Sequence, residues 1–274
     1  MKEFENIVIG ESSIPALVIS IILMTAIPVV IFIYWRVKHK EKTKISWLIA
    51  GAVGFFFSAR VLELGIHYFC IIADNPVSRF VNGHTAAYVI YGIAMAGIFE
   101  ECGRFIVMKY IMKKNRTREN AIMYGIGHGG IEIIAVLLPG MISSLVIAVM
   151  LSSGDMTTAL GNLGITEDNA AAALTSVQAV AAFDYGMMAA NVIERISAML
   201  LHIGLTVIVY YGITQAKKSC LPAAIGLHML MDLFPALYQR NVVSLWSVEV
   251  WAAFVAVAVV VIAMKFYRQM EGAD

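Results

Sequence analysis

The sequence predicts an all-α, polytopic membrane protein, and three observations support this fold class. Hydrophobic residues make up 60% of the 274 residues and charged residues only 14%, whereas soluble domains carry about 25% charged residues. The mean hydropathy is +0.79. Apolar stretches of about 20 residues, the length at which a helix crosses a bilayer core, recur along the chain. We therefore expect residues 1–274 to form a single integral membrane domain.

Seven apolar segments are long enough to cross a bilayer as helices. In chain order they are Ile14–Trp35, Ile45–Ala73, Thr85–Ile111, Ala121–Leu138, Ala189–Ile213, Cys220–Leu237 and Trp246–Tyr267. The first is not expected to be a cleaved signal peptide, because its apolar stretch is longer than a signal h-region and its basic run follows instead of preceding it.

Lysine and arginine are concentrated in alternate loops, which sets the predicted orientation. The four basic loops contain, in order, Arg36, Lys38, Lys40, Lys42 and Lys44; Lys109, Lys113, Lys114, Arg116 and Arg118; Lys217 and Lys218; and Lys265 and Arg268. The opposite loops hold only Lys2, Arg79 and Arg240. Because cytoplasmic loops carry the excess positive charge, we expect a multi-pass protein of the cell membrane with its N-terminus outside and its C-terminus in the cytoplasm.

The segment Met141–Leu151 is apolar but too short to cross the bilayer alone. It follows Pro139-Gly140, which we expect to break the preceding helix. We interpret it as a re-entrant or interfacial helix. If it were an eighth span, Lys217 and Lys218 would lie outside, which the distribution of positive charge disfavours.

The long connection over residues 152–188 is predicted to be an outer loop. It is too polar to cross the membrane and too long for a simple turn, so it is a natural place for a lid or a binding loop. Leu174, Val177 and Ala181 recur in it at helical spacing. This pattern predicts either an interfacial amphipathic helix or an alanine-rich linker helix.

Four of the predicted spans carry ionisable residues, each of which costs roughly 2.5–3.5 kcal/mol at the centre of a span. Span by span they are Glu100, Glu101 and Arg104; His128 and Glu132; Glu194, Arg195 and His202; and His228 and Asp232. Spacings of three and four residues place partners on one face of their helix. Buried charges at such a cost indicate a functional site, whereas the structural alternative is an ion pair between helices.

Counting residues from the nearest cytoplasmic lysine or arginine compares the depths of these side chains. Glu100, His128 and His228 fall at roughly 13–15 Å, at ~1.5 Å per helical residue. Glu132, Asp232 and His202 fall about one turn deeper. Because unrelated contacts have no reason to share a depth, we expect the residues to converge on one site.

Two further sets of charged residues are expected to form internal structural contacts. One is Glu194 with Arg195, and the other is Arg60, Glu63 and His67.

Several glycines surround His128 in the fourth span. Removal of side chains at these positions permits another helix, or a ligand, to approach the histidine closely. The glycines are Gly125, Gly127, Gly129 and Gly130.

The residue types at this site suit the hydrolysis of a carbonyl compound. One of Glu100 and Glu101 is expected to act as a general base, because two neighbouring buried carboxyl groups do not readily ionise together. Histidines supply proton transfer or donate to a developing oxyanion. The sequence contains no His-Glu-x-x-His zinc motif and no Gly-x-Ser-Gly nucleophile. Together these features favour activation of water over a covalent mechanism.

The order of these motifs resembles the glutamic-type intramembrane proteases, a grouping that includes the CAAX-processing and bacteriocin-processing enzymes and PrsW. The resemblance lies in Glu100-Glu101-Cys-Gly-Arg104, then Gly-His128-Gly-Gly-Ile-Glu132, then Glu194-Arg195 with His202, and finally His228-Met-Leu-Met-Asp232. It is greatest to the YhfC-type branch and covers residues 85–237, which are therefore the predicted catalytic core.

The resemblance implies roles for single residues. Glu100 corresponds to the base that activates water, and Glu101 and Arg104 to residues that hold the site. Glu132 occupies a position where CAAX-processing enzymes have histidine, and Asp232 one where they have asparagine. Since an ionised carboxylate cannot donate to an oxyanion, Asp232 is alternatively expected to orient His228.

The partner of Glu100 is left open between His128 and His202.

Three functions follow as alternatives. The leading one is an intramembrane endopeptidase in which glutamate activates water and no cofactor is needed. The second is a zinc-dependent membrane metalloprotease, because the histidines, Glu132 and Asp232 are of the ligand types that zinc prefers. The third is a non-catalytic binding or transport protein whose charges line a path.

The expected partners are the lipid bilayer and a substrate that is a membrane protein or a lipidated peptide. With a net charge of +1, no nucleic-acid partner is implied. The oligomeric state is left open.

Overall fold

The fold is helical throughout the part of the chain that the computed structural model describes, residues 4, 7–152, 156–166 and 169–271. Within these residues there is no strand. The α-helices are α1 Ser13–Lys38, α2 Ile45–Phe55, α3 Leu64–His67, α4 Pro76–Gly83, α5 Thr85–Ile106, α6 Arg118–Glu132, α7 Leu138–Ser152, α8 Met156–Asn162, α9 Ala170–Ala181, α10 Tyr185–Thr214, α11 Cys220–Gln239 and α12 Leu245–Gln269. Short π-helical segments occupy Phe56–Glu63, Tyr68–Ile72, Val107–Ile111 and Ile133–Leu137. The predicted all-α fold class is confirmed.

Six helical runs in the described residues are long and apolar enough to cross a membrane. They are Ser13–Lys38, Ile45–Ile72, Arg118–Ser152, Tyr185–Thr214, Cys220–Gln239 and Leu245–Gln269. The protein is therefore a multi-pass membrane protein. The predicted third span is also helical, through α5 and the π-helical turn that follows, but Glu100, Glu101 and Arg104 make it less apolar than the six.

The predicted break at Pro139-Gly140 is wrong, because the chain stays helical from Arg118 to Ser152. Helix α7 begins at Leu138, so Pro139 lies in its first turn. The π-helical segment Ile133–Leu137 directly precedes α7, and local π-helical adjustment of this kind lets a membrane-spanning helix accommodate proline. The position of Met141–Leu151 relative to the bilayer stays a prediction.

The described residues of the predicted outer loop include helices α8 and α9 and the first turn of α10, which begins at Tyr185. Helix α9 confirms the helix expected from Leu174, Val177 and Ala181. Val177 is buried and lies in an apolar cluster with Leu160 and Phe4. The helix therefore has a buried apolar face.

The chain divides into two compact units. Unit 1 comprises Met1–Ala26 and Ile133–Val192, and unit 2 comprises Ile27–Glu132 and Ile193–Asp274. All eight predicted site residues lie in unit 2.

Glycines bring the helices of unit 2 close together. Helix α2 packs along α6, and a Cβ atom on Gly127 would lie only 1.9 Å from the carbonyl oxygen of Leu48. A Cβ atom on Gly129 would lie 2.8 Å from Met199 Sδ on α10. The predicted close helix approach around His128 is therefore confirmed. Helix α5 likewise packs on α11, which in turn packs on α12.

Candidate active site

Four helices of unit 2 bring the predicted residues into one connected cluster. Helix α5 supplies Glu100, Glu101 and Arg104, α6 supplies His128 and Glu132, α10 supplies His202, and α11 supplies His228 and Asp232. Six of these eight side chains are buried, and Glu132 and Asp232 are partly exposed. The convergence expected from their shared depth is therefore observed.

Glu100 pairs with His128. The Glu100 Oε2 atom lies 3.0 Å from His128 Nε2 and 4.0 Å from His228 Nε2. His202, the other candidate partner, bonds to a different carboxylate. The structure thus places His128 next to the carboxyl group that the sequence singled out as the base.

Glu101 is held in a buried ion pair. Arg104 Nη2 lies 3.2 Å from Glu101 Oε1, and both side chains are completely buried. His228 Nδ1 lies 2.8 Å from the same oxygen. Glu101 is thus engaged by two cationic or donor groups, whereas Glu100 faces histidines alone. This difference favours Glu100 over Glu101 as the reactive carboxyl group.

Arg104 connects α5 to α10 and α6. It donates to the backbone oxygen of His202 at 2.7 Å and to Thr206 Oγ1 at 2.9 Å. Its Nη2 atom also lies 3.1 Å from His128 Nε2 and 3.1 Å from His202 Nδ1. Because arginine only donates, His202 Nδ1 acts as an acceptor, whereas His128 Nε2 lies within hydrogen-bond distance of both Arg104 and Glu100. The sequence did not indicate Thr206, whose single hydroxyl group carries no charge signal.

Glu132 holds His202 and is itself held by Arg195. His202 Nε2 lies 2.7 Å from Glu132 Oε2, and Arg195 donates to Glu132 Oε1 at 3.0 Å. Arg195 also pairs with Glu194, as predicted, but it belongs to the site as well. A signal for this was present: Arg195 precedes His202 by seven residues, which is two helical turns on the same face.

A cavity of ≈ 210 Å³ opens beside the cluster. The polar side chains that line it are Glu100, Glu132, Glu194, Arg195, His202, His228 and Asp232. Asp232 Oδ2 lies 3.5 Å from His228 Nε2, in agreement with the expected orienting contact. The cavity gives a small molecule or a peptide group access to the polar atoms.

Three side chains offer a possible metal site. Glu100, His128 and His202 each supply one ligand atom, and these atoms all lie within 4.8 Å of one another. Two histidines and one glutamate form a known catalytic zinc set, with a fourth position left for water. Glu132 supports it, because metal-binding histidines usually donate their second N–H to a carboxylate. The donor set therefore fits zinc.

Comparisons with known proteins identify the family of the chain. Residues 23–252 match the family model described as YhfC intramembrane metalloprotease. A curated relative, "Uncharacterized membrane protein YhfC" from Bacillus subtilis (strain 168), is 31% identical over 268 residues, which is 96% of this chain and 100% of the relative. No solved structure matches. The chain therefore belongs to the YhfC intramembrane metalloprotease family.

Proposed function

We propose that this protein is an intramembrane endopeptidase in which Glu100, His128 and His202 hold a catalytic zinc ion. Its substrate would be a membrane-embedded or membrane-associated protein, such as a lipidated peptide. The observation that carries the proposal is the convergence of two buried histidines and one buried carboxylate within 4.8 Å, beside a cavity. Zinc would act there as a Lewis acid toward the peptide carbonyl and the attacking water.

The other residues of the cluster would position these ligands. Glu132 accepts from His202 Nε2, which leaves the lone pair of His202 Nδ1 as the available metal-binding atom of this ring. The ion pair with Arg104 and the contact with His228 hold Glu101 in place. This division assigns Glu101 and Glu132 to positioning.

His228 is suited to contact the substrate. It lines the cavity, and its Nδ1 faces Glu101 while its Nε2 lies 3.5 Å from Asp232 and 4.0 Å from Glu100. A histidine placed in this way can donate to the carbonyl oxygen on which negative charge develops. Asp232 would orient the ring for that task.

A metal-free mechanism is favoured by a different observation. Arg104 Nη2 lies within 3.1 Å of nitrogen atoms on both His128 and His202, and its positive charge opposes a metal cation at the same place. In that mechanism Glu100 takes a proton from water, and the water oxygen attacks the carbonyl carbon. The proton then passes to the leaving amine.

The metal content of the purified protein separates the two mechanisms. We expect near-stoichiometric zinc, measured by plasma mass spectrometry, in the wild type and in the matched control His67→Ala, and its loss in His202→Ala. Zinc-free wild-type protein together with an inactive Glu100→Gln variant would instead support the metal-free mechanism. Both mechanisms predict that uncleaved substrate accumulates in cells that carry Glu100→Gln. If the amounts of all membrane proteins were the same in these cells and in wild-type cells, both mechanisms would be excluded.

The contact between Glu132 and His202 gives a finer test. Loss of a carboxylate that orients a metal-binding histidine typically weakens metal affinity 10–100-fold. We expect a decrease of about this size in zinc affinity for Glu132→Gln, measured by competition with a chromogenic chelator. Glu249→Gln, which changes a buried glutamate on α12 outside the ligand set, serves as the control. Equal affinities of both variants would contradict the positioning role of Glu132.

A further inference from the structure

A second cavity adjoins the first. Its volume is ≈ 280 Å³, and it shares Asp232 and Pro235 of α11 with the cavity at the site. The remaining lining residues are His67, Ile71, Tyr88, Tyr91, Gly92, Ala236 and Gln239. Because Asp232 and Pro235 line both, the two cavities lie next to each other at this part of α11. Together their volumes reach the range of about 300–1,000 Å³ that is usual for ligand pockets.

The second cavity leads away from the cytoplasmic side. In the predicted orientation α5 begins outside at Thr85 and α11 ends outside at Gln239. From Asp232 to Gln239 the lining residues of α11 rise by about 10 Å along the helix, at ~1.5 Å per residue. Tyr88 lies in the first turn of α5. The mouth of this cavity therefore points to the external face.

Polar groups line this cavity. His67 Nδ1 lies 2.8 Å from the hydroxyl oxygen of Tyr91, and Tyr88 donates to Gln239 Oε1 at 2.8 Å. The Tyr88–Gln239 contact joins α5 to α11 at the outer end. These polar groups make the lining of the cavity more suitable for water than for lipid acyl chains.

Two carboxylates that line the cavity at the site are partly exposed. The side chain of Asp232 is 31% exposed and that of Glu132 is 22% exposed. A charge that faced hydrocarbon at this depth would cost roughly 2.5–3.5 kcal/mol, which a single ion pair does not offset. Both carboxylates line the cavity at the site, so water in that cavity would remove this cost.

We propose that the two cavities form a water-filled path that opens on the external face, and that an extended peptide segment reaches the site through it. The path itself follows from the cavities and the exposed charges. The passage of a peptide rests on the proposed proteolytic function. Gly92 leaves room in the wall, since a Cβ atom there would meet nothing within 4 Å.

Thiol labelling from one side of the membrane tests the path without a substrate. The three free cysteines, Cys70, Cys102 and Cys220, are first replaced by alanine. Asp232→Cys and Gly92→Cys are then exposed, in right-side-out vesicles, to a membrane-impermeant, positively charged methanethiosulfonate. We expect both to be labelled from outside. Gly226→Cys, on the exposed surface of the cytoplasmic half of α11, should remain unlabelled.

A blocking variant completes the test. Addition of Gly92→Trp to Asp232→Cys should abolish labelling from outside, whereas Gly65→Trp, at a glycine on α3 that does not line the cavity, should leave it unchanged. Labelling of both cysteines only in inside-out vesicles would overturn the proposal. Zinc content and substrate cleavage are measured separately from labelling. If the cysteines were labelled from outside but the protein neither bound zinc nor cleaved a substrate, the path would be supported and the proteolytic function would be excluded.

Discussion

The two compact units differ in what they bury. Unit 1 is stabilised by apolar clusters around Leu160 and Leu17, and none of its buried side chains is ionisable among the residues that the structure describes. Unit 2 buries carboxylates, arginines and histidines in contact with one another. Packed apolar side chains stabilise a fold through many close van der Waals contacts. A buried ionic cluster is often no more stable than an apolar replacement, so its presence in unit 2 indicates function.

The largest effect is expected in the ionic cluster. Arg104→Met leaves Glu101 buried without its cationic partner, which typically costs about 3–5 kcal/mol. We expect a decrease of this order in the free energy of unfolding, followed by denaturant titration in micelles. The control is Arg79→Met, which breaks a pair with Asp74 whose side chains are 62% and 84% exposed, and such surface pairs contribute about 0–1 kcal/mol. Similar losses in both variants would remove the contrast between buried and exposed charge.

An apolar substitution in unit 1 should separate stability from metal binding. Leu160 is 1% exposed, and truncation of such a leucine to alanine typically costs about 2–5 kcal/mol. We expect Leu160→Ala to be less stable and yet to retain wild-type zinc content, because the proposed ligands all lie in unit 2. Loss of zinc from the folded variant would show that the apolar unit supports the metal site as well.

The smallest effects are expected from the replacement of one glycine in each unit by alanine. In Gly127→Ala the added methyl group would meet the carbonyl oxygen of Leu48, and overpacking of this kind costs about 1–3 kcal/mol. In Gly140→Ala of unit 1 the added methyl group meets nothing within 4 Å, and relief of glycine flexibility in a helix stabilises by about 0.5–1 kcal/mol. We expect the melting temperature to fall in Gly127→Ala and to rise in Gly140→Ala. Shifts in the same direction would contradict the difference between the two units.

The sequence predicted the helices and the convergence of the polar residues well, because both depend on quantities that can be counted. A run of apolar residues fixes the length of a helix, and the distance to a lysine fixes the depth of a side chain. Glu100, His128 and His228 thus fall together as expected. The resemblance to the YhfC-type branch is confirmed by the comparisons.

What the sequence left open depends on the rotation of each helix about its own axis. The depth of a residue does not show whether His128 or His202 faces Glu100. It also does not show that Arg195 reaches Glu132. Thr206 contributes to the site through its side-chain oxygen alone. The break expected at Pro139 failed for a related reason, since the effect of proline depends on its place in the helix.

The π-helical turn that follows α5 has a consequence for changes in chain length. Met112 N–H donates to Val107 O at 2.8 Å, so this turn closes five residues apart and holds one residue more than an α-helical turn. Deletion of a single residue within Val107–Ile111 would allow a regular helix to form there. Glu100, Glu101 and Arg104 precede the turn and would keep their relative phase. The chain can therefore absorb a one-residue deletion at the C-terminal end of this helix without rotating the residues of the site.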